Sequence, residues 1–118
     1  MNSKLQIGNL GEKLACDFLL NKNYEIVKRN FRCKSGEIDI IAVDRITNEL
    51  AFIEVKTRTN TNYGLPCEAV NMVKIQHIKK CISTYLSQNT AENCNIRIDV
   101  IEVLLKGKDF FINHIKCI

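Results

Sequence analysis

Two alternating segments on either side of a short polar loop constrain this chain more than anything else in its sequence. Gly36-Glu37-Ile38-Asp39-Ile40-Ile41-Ala42 and Phe52-Ile53-Glu54-Val55-Lys56-Thr57-Arg58 place charged and apolar side chains in turn, the period of a half-buried β-strand. They predict strands over Glu37–Asp44 and Glu49–Thr57, joined by the polar loop Arg45-Ile46-Thr47-Asn48, which suits an antiparallel hairpin. If Asp44 and Glu49 pair across that loop, the register sets Asp39 opposite Glu54 and Glu37 opposite Lys56. Glu37 and Asp39 then share one face, with Ile38, Ile40 and Ala42 on the other; Glu54, Lys56 and Arg58 share a face of the second strand. A one-residue slip would separate the two carboxylates.

Directly opposed residues have Cβ atoms roughly 5 Å apart, so Asp39 and Glu54 would repel unless a cation lay between them. A hard divalent ion suits such an oxygen-only, partly open pair, since it keeps waters and substrate oxygens as its remaining ligands. Lys56, one step along the same face, would neutralise charge at a phosphate or polarise a water. The bland alternative is a solvated hairpin face with a Glu37–Lys56 ion pair worth only tenths of a kcal/mol. Glu12 weighs against it: with Gly8, Ala15 and Leu19 it falls at helical spacing on or beside the inward face, where a carboxylate needs a partner. Gly8-Asn9-Leu10-Gly11 lacks bulk, as expected where a helix and a sheet, or a ligand, approach closely.

The remainder of the chain supplies the layers around this hairpin. Ser3 and Gln6 form a capping-box pattern opening a first helix, whose inward positions run from Ile7 through Gly11, Leu14, Ala15 and Phe18 to Leu19. A strand is predicted at about Glu25–Phe31, with a turn at Cys33-Lys34-Ser35-Gly36. The second helix, about Ala69–Leu86, carries the apolar stripe Val70, Val73, Ile78, Cys81, Ile82, Tyr85 and Leu86, with Lys74, Lys79 and Lys80 as cationic positions. A strand at Asn95–Leu105, the turn Lys106-Gly107-Lys108 and a short strand at Phe110–Ile115 close the pattern. With 118 residues the chain is one domain, 1–118, in which the second helix crosses over to make a parallel pair in a mixed α/β sheet.

Composition excludes more than it assigns. A net charge of +4 permits a polyanionic partner without requiring one. The six cysteines form no close pairs, and His77 and His114 stand far apart, so a zinc site is not expected. Neither a signal-peptide core nor an apolar run near the roughly 20 residues of a membrane span is visible. The expectation is a cytoplasmic protein with reduced, mostly buried thiols and no membrane partner.

An acid in a first helix, Asp on one strand and Glu-x-Lys on the next resemble the PD-(D/E)xK nuclease superfamily with its restriction-endonuclease-like fold. The closer resemblance is to the small bacterial YraN family, also labelled UPF0102. It is carried by Gly8-Asn9-Leu10-Gly11-Glu12, Arg29-Asn30-Phe31-Arg32, Gly36–Ile41, Phe52–Arg58 and Glu68-Ala69-Val70, and more weakly by Arg97-Ile98-Asp99-Val100. The proline of the motif's name is absent, Ile38 standing before Asp39. The resemblance implies a mixed sheet of four to five strands flanked by helices and a Mg²⁺- or Mn²⁺-dependent endonuclease. Asp39, Glu54 and the Val55 carbonyl would be metal ligands, Lys56 the catalytic lysine and Glu12 a further acid, as in archaeal Holliday-junction resolvases. DNA is the favoured nucleic acid, with branched recombination or repair intermediates as a candidate class. Arg58, Lys74 and Arg32 are the first-choice backbone contacts, ahead of Arg29, Lys34 and Lys79, and Tyr63 is a candidate to stack on a base. A symmetric homodimer is among the arrangements allowed. The competing expectation is a catalytically silent nucleic-acid-binding or adaptor module on the same fold; a third is a structural protein whose acids form surface ion pairs.

Overall fold

The computed structural model describes residues 4–59, 72–89 and 95–116. Along the chain run α1 (Lys4–Asn21), β1 (Tyr24–Cys33), β2 (Gly36–Asp44), β3 (Glu49–Arg58), α2 (Met72–Gln88), β4 (Ile96–Lys106) and β5 (Asp109–Lys116). The strands form one sheet in the order β1-β2-β3-β4-β5. Neighbours are antiparallel except β3 and β4, which the α2 crossover makes parallel. This is the mixed α/β sheet that the alternation and spacing predict, consistent with a restriction-endonuclease-like fold.

Each helix covers one face. Ala15 and Leu19 of α1 pack on Tyr24, Ile40, Ala51 and Ile53. Ile78, Cys81, Ile82 and Tyr85 of α2 pack on Phe31, Ile41, Leu50 and Phe52. Val73 departs from the predicted apolar stripe: at the first turn of α2, beyond the cover of the sheet, it is 60% exposed. Val70 and Tyr63 lie outside the described residues, as does Ser3.

The β2–β3 hairpin takes the predicted register from Asp44–Glu49 to Ile40–Ile53. Its turn shows why. The Asp44 carboxylate accepts from the Ile46 and Thr47 amides, the Asn48 amide donates to the Asp44 carbonyl, and Asn48 takes φ 61°, a conformation asparagine tolerates. Beyond Ile40–Ile53 the ladder stops. There the alternation also breaks, because Ile38 joins the cluster beneath α2 while Ile40 and Ala42 face α1. The hairpin is closed at its turn and irregular at Asp39.

Arg97 holds the closed end. Its guanidinium donates twice to Asp99, at 2.8 and 3.0 Å, and once each to Asp44, Glu49 and the Tyr24 hydroxyl. His114 Nε2 adds a 2.7 Å contact to the same Asp99. This network reaches all five strands in the interior, with Asp99 fully buried. A planar fork with five donors is the side chain that can satisfy so many acceptors at once.

The cysteines differ from the expectation of reduced thiols. The end of β1 brings Cys33 against α2, where it forms a disulfide with Cys81 across a Cα–Cα distance of 5.8 Å. Cys16 keeps a buried thiol. No described helix is long and apolar enough to cross a membrane.

Replacing Arg97 leaves Asp99 buried without its main counter-charge. Arg97→Leu is expected to destabilise the fold by about 3–5 kcal/mol, and Arg97→Lys to recover only part of that, because one ammonium cannot replace the fork. Urea denaturation of the two variants beside the parent measures both effects.

Candidate metal and phosphodiester site

The irregular end of the hairpin is where the predicted residues converge. Asp39 stands one step beyond the last β2–β3 pair, and its Oδ2 accepts from the Val55 amide at 2.8 Å. The carboxylate thus takes the place of a ladder acceptor at the point where the strands part. Glu54, on β3, is buried yet lines the same clefts as Asp39. One cleft, towards α1, has Gly8, Glu12, Asp39, Glu54, Lys56 and Arg58 among its walls. The other, towards α2, adds Ser35, Glu37, Lys74 and His77. The two carboxylates are common to both.

Helix α1 reaches this point because Gly11 lets it. A Cβ on Gly11 would fall 1.8 Å from Thr57 Oγ1 and under 3 Å from Thr57 Cβ and Cγ2, so the helix rests on β3 only where a side chain is lacking. Gly8 shows no such crowding. Glu12, next along, is mostly buried and faces Arg29 at 4.0 Å. Burial raises its pKa, Arg29 opposes the rise, and Glu37 and Glu54 add to it. Glu12 is therefore an acid within the electrostatic field of Glu37, Asp39 and Glu54.

Asp39 is strongly perturbed. Burial and then the charge of Glu54 push its pKa up to about 7, against the pull of the Val55 amide. Glu54 is neutralised by two ammonium groups on one oxygen: Lys56 Nζ at 3.3 Å and Lys74 Nζ at 2.5 Å from Oε1. The two lysines respond oppositely. Burial and the neighbouring Lys74 hold Lys56 below the usual lysine value. Burial also works against the charge on Lys74, but Glu54 outweighs it and raises the pKa.

Other expectations resolve differently. The Glu37–Lys56 pair does not form, because the ladder ends before reaching it; Glu37 pairs instead with Arg32 on β1 at 3.2 Å. Arg58, expected to reach a phosphate backbone, is largely buried against Glu102 of β4 at 3.0 Å. Arg32 is well exposed, and Lys74 lies inside the site rather than beside it. His77, which sequence reasoning considered only for zinc, lines the α2-side cleft one helical turn after Lys74. The i, i+3 spacing of those two residues is the signal that could have found it.

Among the described residues no group of three or more acidic, histidine or cysteine side chains is gathered closely enough to cage a metal. The pair Asp39 and Glu54 fits a different type of site. Both are hard oxygen donors, their mutual repulsion is unfavourable without a cation, and an ion such as Mg²⁺ needs only one or two carboxylates because it keeps its waters.

The Asp39 pKa carries a stability consequence. The folded value, about 7, lies above the ordinary 3.8, so between those pH values the folded chain holds the proton more firmly and stability falls as pH rises. With EDTA present, Asp39→Asn retains an acceptor for Val55 and loses the charge. It is expected to be more stable than the parent at pH 8, by on the order of 2–4 kcal/mol, with the difference vanishing near pH 4. Thermal or urea melts at the two pH values test this.

The model of "Uncharacterised protein family UPF0102" matches residues 11–103. A UPF0102 protein of Clostridioides difficile is 46% identical over 115 residues, covering 98% of this chain and 96% of the relative. One of Caldicellulosiruptor saccharolyticus is 44% identical over 107 residues, covering 91% and 89%. One of Caldanaerobacter subterraneus subsp. tengcongensis is 42% identical over 116 residues, covering 96% and 93%. The match includes Glu12 and both strands of the carboxylate hairpin, and the chain belongs to family UPF0102.

Proposed function

We propose that this chain is a metal-dependent nuclease of the PD-(D/E)xK type that hydrolyses phosphodiester bonds, with DNA as substrate and branched recombination or repair intermediates as one candidate class. The observation that carries the reading is the pair Asp39 and Glu54, held together where β2 and β3 part, with Lys56 on the Glu54 carboxylate. Buried like charges are costly, and a fold keeps them where a cation or a reaction uses them.

Asp39, Glu54 and the Val55 carbonyl would hold Mg²⁺ or Mn²⁺, with Glu12 as a further acid near it. When bound, the ion supplies positive charge to the phosphate and eases deprotonation of the attacking water. The chain's own residues do the rest. The Val55 amide orients Asp39, leaving its other carboxyl oxygen for a ligand. Lys56, with a lowered pKa, is suited to exchanging a proton or to steadying charge on the scissile phosphate. Arg32 and Lys34, exposed at the β1–β2 end, and Arg29 beside Glu12 offer contacts to a phosphate backbone. Such contacts make binding fall steeply with salt. A homodimer would place two such sites on a branched substrate, one per strand.

One observation favours the second reading, an adaptor that binds nucleic acid without cutting it. Lys56 and Lys74 already balance Glu54 without a metal. The assay separates the two. Supercoiled, single-stranded and four-way-junction DNA are incubated with the protein and Mg²⁺ or Mn²⁺, beside Asp39→Ala and Lys56→Met. The nuclease reading expects cleavage that either substitution lowers by roughly a hundredfold or more, the scale of losing one transition-state contact. Binding without cleavage in the parent supports the adaptor, and cleavage that survives Asp39→Ala assigns the activity to another site or protein.

A further inference from the structure

Lys74 occupies an unusual place for a helix-surface lysine. It is the third residue of α2, yet its Nζ lies 2.5 Å from Glu54 Oε1, the atom that Lys56 also contacts from within β3. Two ammonium groups on one carboxylate oxygen exceed what Glu54 needs alone. Taken with the neighbouring Asp39, however, two formal negative charges meet two positive ones. In the cation-free protein the two lysines offset much of that negative charge.

A divalent ion at Asp39 and Glu54 upsets that balance. It brings two further positive charges to a carboxylate already in contact with two, and like charges a few ångströms apart in a half-buried cleft repel strongly. Displacing one lysine relieves that repulsion. Lys56 sits on a strand whose backbone is locked in the β3–β4 ladder opposite Glu102, and its side chain is 26% exposed. Lys74 is at the open first turn of α2, beside exposed Met72 and Val73, and its side chain is 38% exposed. Its flexible four-carbon stem can swing into the cleft lined by Ser35, Glu37 and His77 without disturbing the sheet.

We propose that Lys74 is a displaceable counter-cation: it holds Glu54 in the metal-free protein, competes with the divalent ion for that carboxylate, and on displacement presents its ammonium to a substrate phosphate in the α2-side cleft. The proposal rests on the reading of Asp39 and Glu54 as metal ligands. It goes beyond that reading by making metal binding and the Lys74–Glu54 ion pair mutually exclusive. Lys74 is then a positioning residue, setting how tightly the ion is held and when the cleft gains a phosphate-binding charge. If Lys74 instead props Glu54 in place for the metal, its removal has the opposite effect.

Calorimetric titration with Mn²⁺ at low ionic strength decides between them, on the parent, Lys74→Met, Lys74→Arg and Asp39→Ala. Lys74→Met is expected to bind Mn²⁺ roughly tenfold more tightly than the parent, the scale of an ordinary coupling between two ligands. Lys74→Arg keeps the competing charge and should stay near the parent. Thermal melts supply a second readout that also reports folding: Lys74→Met should melt below the parent in EDTA, yet gain more from saturating Mn²⁺. Equal or weaker Mn²⁺ affinity in Lys74→Met, with parent binding abolished by Asp39→Ala, overturns the displacement and leaves the metal site standing. No Mn²⁺ binding by either protein overturns both.

Discussion

The buried Arg97 guanidinium is the interaction on which the rest of this structure depends. It joins Tyr24 of β1, Asp44 at the end of β2, Glu49 at the start of β3 and Asp99 within β4, and through Asp99 it reaches His114 of β5. A charge this deep is tolerated only when fully partnered, and no buried side-chain nitrogen or oxygen among the described residues lacks a partner. The consequence is geometric. With Asp44 and Glu49 clamped to the same fork, the β2–β3 register cannot slip, and a slip would turn Asp39 and Glu54 to opposite faces.

The opposite end of that hairpin is under the reverse condition. The ladder stops, Ile38 changes face, and Asp39 replaces a strand partner by accepting from Val55 with its side chain. Two helices close on the gap from either side, α1 through the missing side chain at Gly11 and α2 through Lys74. The two ends are complementary. A closed, charge-satisfied end keeps the carboxylates in register, so the irregular end can hold them close together at a cost in stability.

Much of this was legible in the sequence because β-structure writes its faces with a period of two and turns write their chemistry in Asp and Asn. The loop 45–48 was enough to extend the register as far as Ile40–Ile53, and Gly11 was a visible sign of close approach. What lay beyond was set by partners distant in the chain. Arg58 looked like a free cation on a strand face, but Glu102, opposite Lys56 on the parallel neighbour, captures it. Arg32, by contrast, meets Glu37 one pair in from the Cys33–Gly36 turn, a local pairing across β1 and β2. The Cys33–Cys81 disulfide joins residues 48 apart in sequence, which no spacing rule would have coupled.

By itself the sequence determined that Asp39, Glu54 and Lys56 share one end of a hairpin, because alternation and a short turn are local properties of the chain. It also determined membership of family UPF0102, since the match spans residues 11–103. Only the tertiary structure decided the charge state of that site. The elevated Asp39 pKa, the two lysines on one Glu54 oxygen and the presence of Glu12 in the same cleft all arise from burial and from helices packed on the sheet. Electrostatic energy depends on distance and on exclusion of water, and neither exists until elements remote in sequence come together.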